Sequence, residues 1–270
     1  MSQPTDPVTI RSGILTGTYD KKDKINVFKG IPYAQPPVGE LRWKPPQPAL
    51  SWSGTLRAEK AGPVPIQLKA EGSHIFVDAF LEGQGWGKLK TGVMKRMARL
   101  APKPKESEDC LTLNVRTPSL DKAAKLPVMV WIFGGGHMVG SAEDMPADST
   151  ALPRRGVVTV TINYRLGLMG YFAHPELGRE SEQGVSGNYG TLDQIAALRW
   201  VQENISAFGG DPDNVTLFGE SAGGESVAHM MTSPLARGLF HKAIMQSAST
   251  AFPMMMMRHP FLTNPAGEEL

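Results

Sequence analysis

The stretch that most constrains this chain is Val215-Thr216-Leu217-Phe218-Gly219-Glu220-Ser221-Ala222-Gly223-Gly224. An apolar run enters a Gly-x-Ser-x-Gly pentapeptide and a helix-compatible run over 222–231 leaves it, which is the pattern of a nucleophile elbow. A serine hydroxyl attacks a carbonyl well only when it stands clear of the fold, so the chain has to turn sharply and hold Ser221 in a strained backbone conformation. Gly219 and Gly223 then have a steric purpose, because only small residues let the strand and the helix come so close. The helix that follows aims its first N–H groups at the space above Ser221, where an oxyanion would form, and Ala222 is the expected donor. Taken alone, the pentapeptide also fits a purely structural strand-to-helix connection.

A second constraint stands ahead of it. The apolar run 127–133 ends in Gly134-Gly135-Gly136-His137, and three consecutive glycines cost more conformational entropy than a simple turn requires. They make sense where a substrate oxygen must approach backbone N–H groups with no side chain in the way, so Gly135 and Gly136 are the expected partners of Ala222 in an oxyanion hole. The plainer reading is a flexible turn. His137 either shapes the acyl side of a pocket or is a surface or structural histidine.

Around these two pieces the chain has an α/β rhythm. Residues 111–116, 127–133 and 157–162 are short runs rich in Val, Ile and Leu, as strands buried on both faces should be. Over 188–205, Leu192, Ile195, Leu198, Val201 and Ile205 share one helical face, and Phe208-Gly209-Gly210-Asp211-Pro212 stops the helix. The strand into the elbow, the elbow helix and a strand over 243–246 follow. The fold class is therefore α/β, a mostly parallel central sheet flanked by helices, with active groups at the carboxyl ends of the strands. Residues 8–33 read as a small antiparallel hairpin region, and the proline-rich segment 30–39 as a fixed wall. The connection 62–105 shows no obvious strand and is long enough for a lid or pocket loop. Within it Trp86, Leu89, Val93, Met97 and Leu100 fall at helical spacing among Lys88, Lys90, Lys95, Arg96 and Arg99. Such a helix could touch an anionic membrane surface, but the simpler expectation is that it packs its apolar stripe over the protein's own pocket.

Composition excludes several classes. The 270 residues fit one α/β domain better than two, and a formal net charge of +2 is too small to imply a nucleic-acid partner. The six histidines have no metal-site spacing, so no metal is expected, and nucleophilic attack by a serine needs no organic cofactor. The single cysteine, Cys110, cannot form an internal disulfide. No signal-peptide pattern or bilayer-length apolar run is visible, so membrane contact is not expected and a reducing, cytoplasmic setting is the simplest inference. The sequence carries no signal for an oligomeric state.

Ordered blocks extend the pattern beyond the elbow: Gly30-Ile31-Pro32-Tyr33-Ala34, Gly39-Glu40-Leu41-Arg42-Trp43, Glu108-Asp109-Cys110-Leu111-Thr112-Leu113-Asn114-Val115, Gly134-Gly135-Gly136, Asn163-Tyr164-Arg165-Leu166-Gly167, Asn188-Tyr189-Gly190 and Phe208-Gly209-Gly210-Asp211-Pro212. Together they resemble the type-B carboxylesterases, a family of α/β-hydrolases. The resemblance runs to about Ser249. It implies that Ser221 is the acylated nucleophile, that Gly135, Gly136 and Ala222 donate to the oxyanion, that Glu220 tunes the pocket's electrostatics and that Arg42 pairs with Glu108.

The chain departs from the family in two places. Where many members have a Gly-Pro-x-Cys segment that bridges to the counterpart of Cys110, this chain reads Gly62-Pro63-Val64-Pro65. Cys110 is thus expected to be a buried free thiol with no catalytic part. In this fold class the triad acid and histidine follow the serine, and family chains run well beyond Leu270. Of the later histidines, His229 lies too far along the elbow helix and His241 precedes its strand at the far edge of the sheet. His259 is on the correct side, but in an atypical tail, and Glu225 sits one turn beyond Ser221.

The expectation is a truncated α/β-hydrolase domain over 1–250, its C-terminal strands missing, followed by a tail over 251–270. Its substrate is a small-molecule ester, cleaved through a serine acyl-enzyme with weak or absent activity in this chain. The alternative is an inactive fragment or a non-catalytic binding relative of the same fold.

Overall fold

The computed structural model describes residues 3–67, 83, 85, 87–100, 104–144 and 149–248. The tail over 251–270, including His259, lies outside the described residues. The strands are β1 (Gln3–Pro4), β2 (Val8–Ile10), β3 (Gly13–Thr16), β4 (Thr18–Asp20), β5 (Ile25–Pro32), β6 (Thr55–Arg57), β7 (Thr112–Thr117), β8 (Leu126–Ile132), β9 (Val158–Ile162), β10 (Gly210–Glu220) and β11 (Lys242–Gln246). The helices are α1 (Lys88–Leu100), α2 (Gly167–Tyr171), α3 (Pro175–Glu180), α4 (Tyr189–Asn204) and α5 (Ala222–Thr232).

Eight strands join in one sheet in the order β1-β4-β5-β7-β9-β8-β10-β11, and β2-β3-β6 form a small second sheet. The large sheet is mixed. From β9 through β8 and β10 to β11 every pairing is parallel, with Val130 opposite both Val160 and Leu217. From β9 back to β1 the pairings are antiparallel. The parallel half behaves as its sequence predicts: all of β9 is buried, as are Val128, Val130, Trp131 and Ile132 of β8, because both faces are covered. The expected helix over 188–205 is α4, whose Ile195, Leu198 and Val201 are buried, and Gly209 ends the following turn at φ 75°. Phe28 meets Phe208 edge to face at 5.0 Å, joining β5 to this end of the core.

One expectation needs adjustment. The helix within 62–105 is present as α1, but its Leu89 and Val93 are 84% and 50% exposed, while Thr91 is buried. At these positions the apolar stripe does not pack over the protein's own pocket; a period of 3.6 gives a face, not the surface that face meets. The ends of the same connection are held without a disulfide. Val64 N–H donates to the Lys105 carbonyl at 2.9 Å and Ser107 N–H to the Val64 carbonyl at 3.0 Å, beside the buried free thiol of Cys110.

Candidate active site

The carboxyl ends of β8 and β10 bring the two glycine-rich pieces together. Ser221 follows β10 and caps α5 with φ 55° and ψ −124°, a conformation costing on the order of 1–3 kcal/mol for a residue with a side chain. It is fixed from both sides: its N–H donates to the Gln246 carbonyl of β11 at 2.8 Å, and its carbonyl accepts from Glu225 N–H at 3.0 Å. The glycines explain how α5 starts so close to the sheet. A Cβ on Gly223 would lie 2.1 Å from the Ile132 carbonyl oxygen, and one on Gly219 would lie 2.4 Å from the carbonyl oxygen of Gly223.

The loop after β8 is pressed against this turn. A Cβ on Gly134 would sit 2.5 Å from the Glu220 carbonyl oxygen, 3.1 Å from a Glu220 carboxylate oxygen and 3.1 Å from Ser221 Cβ. Gly135 and Gly136 then take φ 103° and 65°, and the loop closes with Met138 and Val139 N–H on the Gly135 carbonyl. Gly135 and Gly136 are exposed, while Ala222 is the first residue of α5. Among the described residues, the N–H groups of all three have no acceptor. These are donors left free beside a serine at a helix N-terminus, the arrangement that favours an anion there.

The structure also places the other candidates. The Ser221 hydroxyl has no hydrogen-bond partner among the described residues. His229 is exposed near the far end of α5, and His241 accepts from Val215 N–H at 3.2 Å, at the amino end of β11. Neither reaches the elbow. Arg42 grips Glu108 through two hydrogen bonds of 2.8 Å, the pairing that the resemblance implied. His137 fits the structural alternative: it is 4% exposed, with its ring turned into the interior and Nε2 3.0 Å from Ser226 Oγ. Gln194 Nε2 also donates to that hydroxyl at 3.0 Å. Ser226 and Gln194 were not singled out from the sequence, although Ser226 lies four residues after Ala222 and so shares its helical face.

A sharp strand-to-helix turn bearing a half-buried serine, at the carboxyl end of a parallel strand and beside a glycine loop, defines the α/β-hydrolase class. The carboxylesterase family profile matches residues 4–266, and the chain belongs to that family. It is 43% identical to the fumonisin B1 esterase of Sphingopyxis macrogoltabida, over 94% of this chain and 42% of the relative. It is 47% identical to liver carboxylesterase 1 of Oryctolagus cuniculus over 83% and 36% of the two chains, and 43% identical to the para-nitrobenzyl esterase of Bacillus subtilis over 90% and 44%. A solved PNB esterase superposes with a TM-score of 0.73 at 41% identity, covering 90% of this chain and 44% of that one. The Geobacillus stearothermophilus carboxylesterase EST55 gives 0.71 at 40%, covering 88% and 43%. The chain thus spans less than half the length of these relatives.

Proposed function

We propose that the protein is a serine carboxylesterase acting on small-molecule carboxylic esters, with Ser221 as nucleophile. The observation that carries this reading is the strained Ser221 at the start of α5 beside a glycine loop whose N–H groups have no acceptor. Ser221 Oγ bonds to the ester carbonyl carbon as the hydroxyl proton passes to a base, and the carbonyl oxygen becomes an oxyanion held by the N–H groups of Gly135, Gly136 and Ala222. Collapse breaks the bond to the alkoxy oxygen, which leaves protonated as the alcohol. Water then adds to the acyl-enzyme, and the acid and the serine hydroxyl are released. No cofactor takes part. Among the described residues no imidazole bonds to Ser221, so the base comes from elsewhere in the chain or from a longer one; without it, oxyanion binding leaves only weak catalysis. The buried free Cys110 is compatible with a reducing cytoplasm.

The second reading, an inactive fragment, is favoured by the same unpartnered hydroxyl. Covalent labelling by a fluorophosphonate probe decides between them, with Ser221→Ala as control and turnover of a short-chain chromogenic ester measured in parallel. Labelling and turnover lost in the control establish the esterase. A folded chain that takes no label retains the elbow without the chemistry.

A further inference from the structure

We propose that His137 is a positioning residue: it ties the glycine loop to α5, so that the N–H groups of Gly135 and Gly136 keep a fixed relation to that of Ala222. The proposal rests on the esterase reading for its catalytic meaning, and on the following contacts for its geometry.

An oxyanion hole assembled from residues 135, 136 and 222 has to be kept in register by something other than the glycines. They have no side chains to pack, and a Cβ at Gly136 would meet nothing within 4 Å. The first side chain that can anchor the loop is His137. It adopts the left-handed φ of 57°, so the ring turns inward while its carbonyl accepts from Gly167 N–H at 2.7 Å. Its Nε2 reaches the hydroxyl of Ser226, which is fully buried and lies one helical turn below Ala222. The imidazole also lies against the backbone of Ala222 itself. One side chain of the loop therefore touches both the helix residue that carries the third donor and the residue one turn beneath it.

Ser226 also joins the link to a second helix. Gln194 Nε2, also fully buried, donates to Ser226 Oγ at 3.0 Å, so the hydroxyl that meets His137 Nε2 is itself held from α4. Nδ1 has no partner among the described residues, so the ring's ties to α5 are Ser226 and the Ala222 backbone. Tyr171 packs against the ring with centroids 5.0 Å apart, and Tyr164, whose hydroxyl donates to the Phe133 carbonyl at 2.8 Å, lies 6.2 Å away. Burial, with His229 adding repulsion, lowers the His137 pKa to about 4, so the tether is neutral near pH 7.

The test uses His137→Phe, His137→Gln, Ser226→Ala and the double variant His137→Phe/Ser226→Ala, each checked for folding by thermal melting. Fluorophosphonate labelling of Ser221 is resolved into a saturation constant and a maximal rate. His137→Phe and Ser226→Ala should each lower the maximal rate about a hundredfold with little change in saturation, the effect of misplacing donors by around an ångström. The double variant should be no slower than either single one, and His137→Gln should recover much of the rate. Wild-type rates in folded His137→Phe, or additive losses in the double variant, overturn the proposal. If the wild type takes no label, the esterase reading fails, and the amide resonances of Gly135, Gly136 and Ala222 decide for His137. All three should shift together in His137→Phe and in Ser226→Ala; glycine amides unmoved by Ser226→Ala overturn the tether.

Discussion

The Arg165 guanidinium holds the Asp193 carboxylate through two parallel hydrogen bonds, Nε to Oδ2 at 2.8 Å and Nη2 to Oδ1 at 2.7 Å, with both side chains buried. Asp193 also accepts from the Arg165 N–H at 3.0 Å, and Nη2 reaches the Lys44 carbonyl at 2.9 Å. The pair fastens the segment after β9 to α4. That segment supplies the Gly167 N–H that donates to the carbonyl of His137, so the glycine loop is supported by an ion pair it does not touch.

Removing one partner leaves the other charge uncompensated in the interior. Asp193→Asn should therefore destabilise the fold by about 3–5 kcal/mol. Urea unfolding checks this; a midpoint close to wild type would show that water or a rearranged side chain takes over the guanidinium.

Ser221→Gly should raise stability by about 1 kcal/mol while abolishing any probe labelling, because glycine adopts φ 55° and ψ −124° without the strain imposed by a Cβ. Ser221→Ala keeps the strain and should not gain stability in this way. Thermal melting of the two variants side by side provides the comparison.

The buried His137 gives the fold a pH dependence of defined sign. In the native state its ring stays neutral down to about pH 4, whereas in the unfolded chain it takes up a proton near the ordinary value of about 6.5. Between these values the unfolded state binds more protons, so stability rises with pH through the window and is lost as pH falls from about 6.5 to about 4, by about 3 kcal/mol in all. The step should be missing from His137→Phe. Denaturation midpoints taken across this range would show it.

β11 is an edge strand among the described residues, all five of its residues are exposed, and Ile244 and Met245 are 43% and 45% accessible. A parallel strand in this condition offers unpaired backbone groups and apolar surface to any second strand. The chain should self-associate as its concentration rises, and Ile244→Lys should reduce that tendency. Light scattering coupled to size-exclusion chromatography measures it, and a strictly monomeric wild type would contradict the expectation.

Much of the fold and of the candidate site was legible in the sequence. The elbow, the glycine loop, the strands that became β8 and β9, and helix α4 all follow from local sterics and from patterns spanning ten to twenty residues. The Arg42 and Glu108 pairing followed from the resemblance. What escaped were contacts between distant segments. His137 follows two exposed glycines, and nothing local says that its ring turns inward to Ser226 rather than out to a pocket. Arg165 stands in a motif block and Asp193 inside α4, 28 residues further on, and their union depends on where α4 packs. The exposure of Leu89 and Val93 on α1 escaped for the same reason, since amphipathicity does not name the surface that will cover a face.

The sequence by itself determined the places where the backbone must do something unusual: the turn at Ser221, the close approach permitted by Gly219 and Gly223, and the bare N–H groups of Gly135 and Gly136. Those features depend on the sterics of adjacent residues, which local sequence encodes directly. Only the tertiary structure decided which polar groups would share the interior, how the glycine loop is tied to α5, and that β11 stands at the edge among the described residues. Those outcomes depend on burial and on hydrogen bonds between segments far apart along the chain, where the identity of the partner sets the energy and one residue's type does not reveal it.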